Sequence, residues 1–335
     1  MAVKLGRSAV VTDTGRRRRR NEDSYVCEPP LFAVADGMGG AQAGEVASRL
    51  AAAVLEEANG DELREERIVE LIQEANRRVF QRSSEDPAAS GMGTTMTVAV
   101  TGPDGNVSIG HVGDSRAYRI REGGLEQLTK DHSLVGELMR SGKLSPEEAE
   151  GHPQRSVITR AVGTEPDVDV DTFSVDTEPG DVFLLCSDGL TDMVSDDTIQ
   201  TVIAAGDGDL ERAARKLVEA ANSSGGEDNI TVLVFEIVDE SGSEAEDTVH
   251  LAPAAVPEAD DADDADDAKD TLDELDAVPV VDTAVVPAAA IEEHLRREGA
   301  EQPPEARSRR HVLPLVLLLL LLAVIAVLVV WGLYR

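Results

Sequence analysis

Four aspartates at the ends of apolar segments are the residues whose type and spacing most clearly suggest chemistry. They are Asp36, Asp114, Asp188 and Asp228, and each directly precedes glycine, serine or asparagine. Any one of them fits an ordinary turn, because Asp and Gly are both favoured there. Four such positions at separate strand ends indicate that the carboxylates converge at one edge of the fold, if the strands lie side by side.

Carboxylates clustered without His or Cys suit Mg²⁺ or Mn²⁺ rather than zinc or copper. Two such ions about 3.5–4 Å apart can hold a bridging water, lower its pKa and clamp an in-line displacement at phosphorus. Without ions, crowded carboxylates would repel one another and take up protons. The cluster therefore predicts that two Mn²⁺ or Mg²⁺ ions are required for activity and for local order.

A run of five arginines, Arg16 to Arg20, directly precedes Asn21, Glu22 and Asp23. A guanidinium binds phosphate oxygens through two parallel hydrogen bonds, which lysine cannot reproduce. The run also fits a basic surface loop or a nucleic-acid patch, and spacing alone does not select one arginine of the five. It is a candidate source of a phosphate-binding cation.

The elements that must position these residues come as groups of strands separated by helix pairs. Short apolar or β-branched segments predict strands at residues 8–12, 31–35, 94–101, 107–112, 116–120, 181–186 and 230–237. Helical spacing predicts helices at residues 44–58, 63–81, 134–141, 196–205 and 210–222. This order favours an α+β fold with antiparallel sheets over a doubly wound parallel sheet.

Composition excludes several classes of protein. The 335 residues carry 65 acidic and 31 basic side chains, a formal net charge of −34, which argues against a general nucleic-acid binder. Two cysteines, Cys27 and Cys186, are too few for a disulfide framework or a zinc cluster. The N-terminal residues lack the continuous apolar stretch of a secretory signal, so we expect the N-terminal bulk in the cytosol.

The composition changes after residue 238, which predicts a folded domain at 1–238 and a linker at 239–306. The linker is rich in Ala, Pro, Asp and Glu and includes three Asp-Asp pairs within residues 260–267. Such a segment cannot bury enough apolar surface to fold, so we expect a disordered spacer; an acidic docking tail is the alternative.

The last segment, residues 307–335, predicts a membrane anchor. Residues 312–333 are almost wholly Leu, Val, Ile and Ala, and about 20 helical residues span a hydrocarbon core. Arg307, Arg309 and Arg310 flank its N-terminal end, which places the preceding domain in the cytoplasm by the positive-inside rule. A hydrophobic tail that is removed by cleavage is the alternative.

Six motifs in order resemble those of PP2C-type (PPM) metal-dependent protein serine/threonine phosphatases, and the resemblance covers residues 5–238. The motifs lie at residues 12–23, 36–40, 113–116, 159–163, 187–192 and 228–231. The resemblance implies an α-β-β-α sandwich of two antiparallel sheets between helix pairs. It also implies that a water bridging the two ions hydrolyses phosphoserine and phosphothreonine on proteins.

Metal ligands can be carried over from the family position by position. The resemblance implies that Asp36 bridges both ions and that the Gly37 carbonyl binds one of them. Asp188 and Asp228 would complete the shell of the second ion. Asp114, with Asp188, would hold a third and weaker ion, as in bacterial members.

Three further residues receive roles from the same resemblance. Arg18 falls at the phosphate-binding position, five residues before Asp23. Glu22 and Asp23 would orient water molecules on the ions, and residues 132–158 would form a variable flap beside the site.

The sequence departs from the family after the Asp36-Gly37 pair. Some members carry a histidine there, proposed as the general acid, whereas this chain has Met38; the position after Gly40 is Ala41. The acid that protonates the leaving group is then a water on an ion or one of three histidines, His111, His132 and His152.

Partners and alternatives follow from the same observations. The expected substrates are phosphorylated proteins, including membrane serine/threonine kinases, which an anchored enzyme would oppose. A catalytically inactive, membrane-tethered module that binds phosphoproteins is a different class of function, although such a module has no chemical need for all four aspartates. A phosphatase dedicated to one regulator, such as an anti-sigma antagonist, shares the chemistry and differs in substrate.

Overall fold

A computed structural model describes residues 3–39, 43–58, 64–103, 105–206, 208–240, 249–250 and 284–285. Two sheets form the centre of this part of the chain. The first sheet has the strand order β13-β1-β12-β11-β7-β8, and the second has the order β10-β6-β5-β3-β2. Apart from the parallel pair of β1 with β13, neighbouring strands within both sheets are antiparallel.

The strands of the first sheet are β1 (Val3–Asp13), β7 (Arg116–Arg121), β8 (Gly124–Gln127), β11 (Val182–Cys186), β12 (Ile230–Asp239) and β13 (Val249–His250). Those of the second are β2 (Asp23–Glu28), β3 (Leu31–Met38), β5 (Met96–Thr101), β6 (Val107–Val112) and β10 (Asp171–Val175), with β4 (Gly93–Thr94) beside β3. A separate parallel pair joins β9 (Val157–Ile158) to β14 (Ala284–Val285).

The helices are α1 (Ala43–Glu57), α2 (Glu65–Glu85), α3 (Leu134–Arg140), α4 (Pro146–Glu150), α5 (Asp188–Thr191), α6 (Asp196–Ala204) and α7 (Leu210–Ser223). A short 3-10 helix spans Pro87–Ala89. α1 and α2 pack on the second sheet, whereas α6 and α7 pack on the first. The four layers confirm the predicted α-β-β-α sandwich of antiparallel sheets.

The core between the sheets is built from the faces that the strands turn towards each other. Phe235 of the first sheet stacks on Phe32 of the second with ring centroids 4.3 Å apart, and on Phe183 with centroids 5.1 Å apart. Aromatic rings bury large apolar areas, and stacking adds to the energy of burial. This packing fixes the two sheets face to face, so strand ends from both sheets meet at a common edge.

The predicted anchor at residues 312–333 lies outside the described residues, as does most of the linker at 239–306. Within the linker range, the structure describes Asp239 and Glu240 and the two-residue strands β13 and β14. Among the helices of the described residues, none has the length and apolar character needed to cross a bilayer.

Candidate active site

The predicted site residues lie where strands of the two sheets end beside one another. Asp36 lies two residues before the end of β3, and Asp188 begins α5 two residues after the end of β11. Asp228 lies two residues before the start of β12. Asp23 begins β2 and is the register partner of Asp36 in the antiparallel pair. Arg18 reaches the same place, because its Nη2 donates to Asp228 Oδ2 at 2.7 Å.

Asp36 is the central carboxylate of this group. Burial raises its pKa well above the ordinary value, and the negative charges of Asp23, Asp188, Asp228 and Asp114 raise the pKa further. Asp36 in turn contributes to the pKa shifts of both Asp23 and Asp188. Residues far apart in sequence therefore share one electrostatic environment, as the strand ends predicted.

Asp188 and Asp114 form the other side of the group. Burial raises the pKa of Asp188 well above its ordinary value, and the negative charges of Asp114 and Asp228 raise it further. Burial also raises the pKa of Asp114 to about 7, with smaller contributions from Asp131 and Asp192. Two carboxylates that disfavour each other's charge need a cation or a proton between them.

Asp23 joins the two sheets directly. Its Oδ2 accepts hydrogen bonds from Ser187 Oγ at 2.8 Å, just after β11, and from Thr231 Oγ1 at 2.6 Å, on β12 of the other sheet. Burial raises its pKa to about 6, although these two hydrogen bonds act in the opposite direction. Asp23 therefore ties β2 to the strand ends that carry Asp188 and Asp228.

The donor set suits a hard divalent cation. Among the described residues, the buried Oδ1 atoms of Asp23, Asp114 and Asp188 have no hydrogen-bond partner, and a buried carboxylate oxygen without a partner is costly. No three His, Cys, Asp or Glu side chains of the described part form a complete ligand set for one ion. Mg²⁺ keeps several waters and uses only one or two protein carboxylates, so the paired carboxylates fit such an ion.

Gly37 lies at a point where two backbones approach closely. A Cβ at Gly37 would stand 2.1 Å from the Gly44 carbonyl oxygen, and a Cβ at Gly44 would stand 2.5 Å from Glu22 Oε2. The Glu22 carbonyl accepts from Gly37 N–H at 3.2 Å and from Ser48 Oγ at 2.6 Å. Glycine is required at both positions, and Glu22 is held between β3 and α1.

Asn229 fixes the loop that carries Arg18. Its Nδ2 donates to the carbonyl oxygens of Thr14 at 2.9 Å and Arg20 at 2.8 Å, while its Oδ1 accepts from Glu22 N–H at 2.8 Å. Asn229 is buried and directly follows Asp228. The Asn229 side chain thus fixes both ends of the arginine run relative to Asp228. In the sequence, Asn229 stood out only as part of the motif at residues 228–231.

Asp192 is an acidic residue of this region that sequence analysis left without a role. Burial raises its pKa, and its charge acts on both Asp114 and Asp188. Its backbone N–H donates to the Asp188 carbonyl at 2.8 Å. The signal was present in the sequence, because side chains four residues apart share one face of a helical turn.

His111 is buried behind the site rather than exposed within it. Its Nδ1 lies 3.0 Å from Thr97 Oγ1 and its Nε2 lies 3.2 Å from the Lys130 carbonyl. Burial lowers its pKa to about 3. At neutral pH the ring is therefore uncharged, and its single N–H proton is donated by Nε2 to the Lys130 carbonyl, so no imidazolium is available to protonate a leaving group.

His132 supports the backbone before Asp114. The ring Nδ1 of His132 accepts a hydrogen bond from the Gly113 backbone N–H at 3.1 Å, and the backbone N–H of His132 donates to the Gly113 carbonyl at 2.7 Å. The neutral ring then carries its proton on Nε2, which is 3.3 Å from Asp171 Oδ2. Burial lowers its pKa, and its contacts are structural. His152 accepts from Gln154 N–H at 3.2 Å within the flap, away from the aspartates described above.

The chain is similar in sequence to known protein phosphatases. The sequence model described as protein phosphatase 2C matches residues 17–230. The serine/threonine phosphatase stp of Listeria monocytogenes is 42% identical over 238 residues, which span 67% of this chain and 93% of that protein.

Solved structures show the same fold. The crystal structure of the Mycobacterium tuberculosis serine/threonine phosphatase PstP/Ppp aligns with a TM-score of 0.67 at 38% identity, covering 70% of this chain and all (100%) of that chain. The catalytic domain of PstP in complex with two manganese ions aligns with a TM-score of 0.64 at 36% identity, covering 71% and 100%.

Proposed function

The chain belongs to the protein phosphatase 2C family of metal-dependent serine/threonine phosphatases, and from this premise we propose how its own residues serve the reaction. Asp36, the Gly37 carbonyl, Asp188 and Asp228 hold two Mn²⁺ or Mg²⁺ ions, and Arg18 binds the phosphate of a phosphoserine or phosphothreonine. The observation that carries this proposal is that Arg18 contacts Asp228, whose charge acts on the buried carboxyls of Asp36 and Asp188.

The ions, when bound, supply the positive charge that activates a water molecule and stabilises the phosphoryl oxygens. The carboxylates of the chain provide oxygen ligands that such ions prefer. Asp114 and Asp188 provide a place for a third ion, supported by the buried Oδ1 atom that each leaves without a partner among the described residues. Asp23 and Glu22 orient water at the edge of this group.

Arg18 is positioned to hold the phosphate. Its side chain is 23% exposed, with one face on Asp228 and within electrostatic range of Asp36 and Asp188. A guanidinium held by a carboxylate is already oriented, so less freedom is lost when its remaining N–H groups bind phosphate oxygens. In a site with little water, this charge is worth more than on an open surface.

Replacing Arg18 with alanine is expected to raise KM for a phosphothreonine peptide by about tenfold, with a smaller change in kcat, because a charged hydrogen bond contributes about 1.5–3 kcal/mol. The measurement is steady-state kinetics at saturating Mn²⁺. Arg18→Lys is the matched control, because it keeps the positive charge but loses the forked guanidinium. Its KM should lie between those of the unchanged chain and of Arg18→Ala. An unchanged KM in Arg18→Ala would assign phosphate binding to another arginine of the run.

We also propose that residues 312–333 anchor the enzyme in the cell membrane, with the catalytic domain in the cytoplasm. The proposal is supported by the apolar composition of that segment and the arginines before it. Anchoring raises the effective concentration of the enzyme near phosphorylated membrane proteins, including membrane serine/threonine kinases.

Removing residues 307–335 is expected to move the enzyme from the membrane fraction to the soluble fraction. The full chain should resist extraction by carbonate and high salt but dissolve in detergent, because apolar insertion rather than charge holds it. A variant with Arg307, Arg309 and Arg310 replaced by glutamine serves as the control and should keep membrane binding while losing orientation bias. If high salt alone released the full chain from the membrane fraction, that result would contradict the anchor.

A further inference from the structure

The five-arginine run lies beside the site: its middle member, Arg18, is half-buried and contacts Asp228, whereas the other four are exposed. Arg16 and Arg17 both direct their backbone N–H groups to the Gly226 carbonyl, at 2.7 and 3.2 Å. Gly15, with φ of +80°, packs so closely that a Cβ would stand 2.1 Å from the Asp228 carbonyl oxygen. The loop is therefore tight and fixed against the residue that pairs with Arg18.

The other four arginines of the run are exposed. Arg17 contacts Glu227 at 3.3 Å with a side chain that is 57% exposed, and Arg20 contacts Glu45 at 3.7 Å with a side chain that is 52% exposed. Arg16 and Arg19 make no side-chain hydrogen bond or ion pair with the described residues. Contacts between exposed charges contribute little to stability, so the fold does not account for the side chains of Arg16, Arg17 and Arg19.

A fifth exposed arginine joins them from the flap. Arg155 Nη2 lies 3.7 Å from Glu227 Oε2, and Glu227 directly precedes Asp228. Arg155 of the flap and Arg17 of the run therefore contact the same carboxylate. We define Arg16, Arg17, Arg19, Arg20 and Arg155 as the arginine rim.

The rim is opposite in sign to the chain as a whole. Acidic residues outnumber basic ones by 65 to 31 in the whole chain. Beside the site, however, five arginines follow one another without interruption, from Arg16 to Arg20. The five arginines of the rim outnumber the carboxylates of the described residues that pair with them, Glu45 and Glu227, and an excess of one charge attracts oppositely charged partners and raises their rate of association. Carboxylates and phosphates are the groups that guanidinium forks bind best.

We propose that the arginine rim selects phosphorylated protein segments that carry acidic side chains or a second phosphate close to the phosphoserine or phosphothreonine. The inference rests on the proposed function, because it takes Arg18 as the anchor for the phosphate. Arg16 and Arg20 are each two residues from Arg18, at most about 7.6 Å between Cα atoms. An extended peptide rises about 3.3 Å per residue, so the rim reaches the residues one to three positions from the phosphorylated one.

The experiment compares matched phosphothreonine peptides whose flanking residues are all Asp or all Gln, hydrolysed by the full chain in detergent with Mn²⁺. The double variant Arg16→Gln/Arg19→Gln removes two charges that make no hydrogen bond or ion pair with the described residues. We expect the ratio of kcat/KM for the Asp peptide to that for the Gln peptide to fall about tenfold, since exposed charge contacts each contribute a few-fold. Added salt should lower the same ratio in the unchanged chain.

Arg77→Gln/Arg212→Gln is the matched control. These arginines lie on α2 and α7 with side chains 59% and 62% exposed, so the change in net charge is the same away from the rim. The control should keep the ratio of the unchanged chain. An equal fall in both double variants would assign the effect to net charge and overturn the proposal.

Two other results would also overturn it. One is an equal ratio in the Arg16→Gln/Arg19→Gln variant and the unchanged chain. The other is a preference for the Asp peptide that emerges only when Asp260 to Asp267 are changed to Asn or Gln, which would mean that the chain's own acidic segment occupies the rim. Hydrolysis of p-nitrophenyl phosphate by the unchanged chain tests the proposed function separately, and peptide affinity by fluorescence anisotropy tests the rim even without turnover.

Discussion

Replacing Asp36 with asparagine is expected to lower kcat for a phosphothreonine peptide by a thousandfold or more, about 4 kcal/mol of lost transition-state stabilisation. Asp36 is the carboxylate whose pKa responds to four others, Asp23, Asp188, Asp228 and Asp114. Removing its charge weakens the attraction of the whole group for divalent ions, which an amide oxygen cannot replace. The measurement is steady-state turnover across a Mn²⁺ titration.

The fold should survive this substitution, which makes the result interpretable. The hydrogen bonds that Asp36 makes with Thr94 and Thr95 use its backbone N–H and carbonyl, so asparagine preserves them. Asp209→Asn is the matched control, because Asp209 caps α7 by accepting from Arg212 N–H and asparagine caps a helix equally well. Turnover of Asp36→Asn within twofold of the unchanged chain would show that the site is wrongly assigned.

The second large effect is on thermal stability: Mn²⁺ or Mg²⁺ should raise Tm by on the order of 5 °C at pH 7.5 and by much less at pH 5.5. Burial raises the pKa of Asp23 to about 6 and that of Asp114 to about 7, and it raises the pKa of Asp36 and Asp188 as well. In the unfolded chain these carboxyls titrate near 3.9.

The sign of the pH effect follows from the protons bound in each state. Between about pH 4 and 7 the folded, metal-free chain binds more protons at these carboxyls than the unfolded chain does. Its stability from this source is present at low pH and is lost as the pH rises through the folded-state pKa values. Divalent ions restore it at pH 7.5, whereas at pH 5.5 protons already neutralise the group and compete with the ions.

Measuring Tm with and without ions at each pH isolates this effect from other titrations. His111, whose pKa is lowered to about 3, destabilises the fold as the pH falls below about 6.5 regardless of metal, so it cancels in the difference. The Asp36→Asn variant should show a smaller gain from metal at pH 7.5. An equal gain at both pH values, or none at either, would contradict the assignment of the carboxylates as an ion site.

The elements that the sequence predicted well are those with their own apolar pattern. The strand predicted at 107–112 coincides with β6, and the helices predicted at 196–205 and 210–222 match α6 and α7 within one residue at each end. Their hydrophobic faces are set by periodicity alone. The weakly patterned strands β2 and β10 were not predicted, because an edge strand gains its stability from pairing with a neighbour rather than from a run of apolar residues.

The sequence also indicated which residues are candidates for the chemistry. Asp36, Asp188 and Asp228 stand beside strongly apolar segments, so their place at strand ends follows from the chain, and the family resemblance supplied the position of Arg18. The histidines were different. His111 and His132 carry no sequence signal of burial, and only the packing around them shows that their ring nitrogens face Thr97 and Gly113.

Tertiary structure alone decided the direction in which each arginine of the run points. Five identical side chains in a row have the same local preferences, so no pattern in the sequence distinguishes an inward residue from an outward one. Contacts with Gly226 and Asn229, more than 200 residues away along the chain, fix the loop and turn Arg18 towards Asp228. Residue type is local information, whereas orientation depends on partners that only folding brings close.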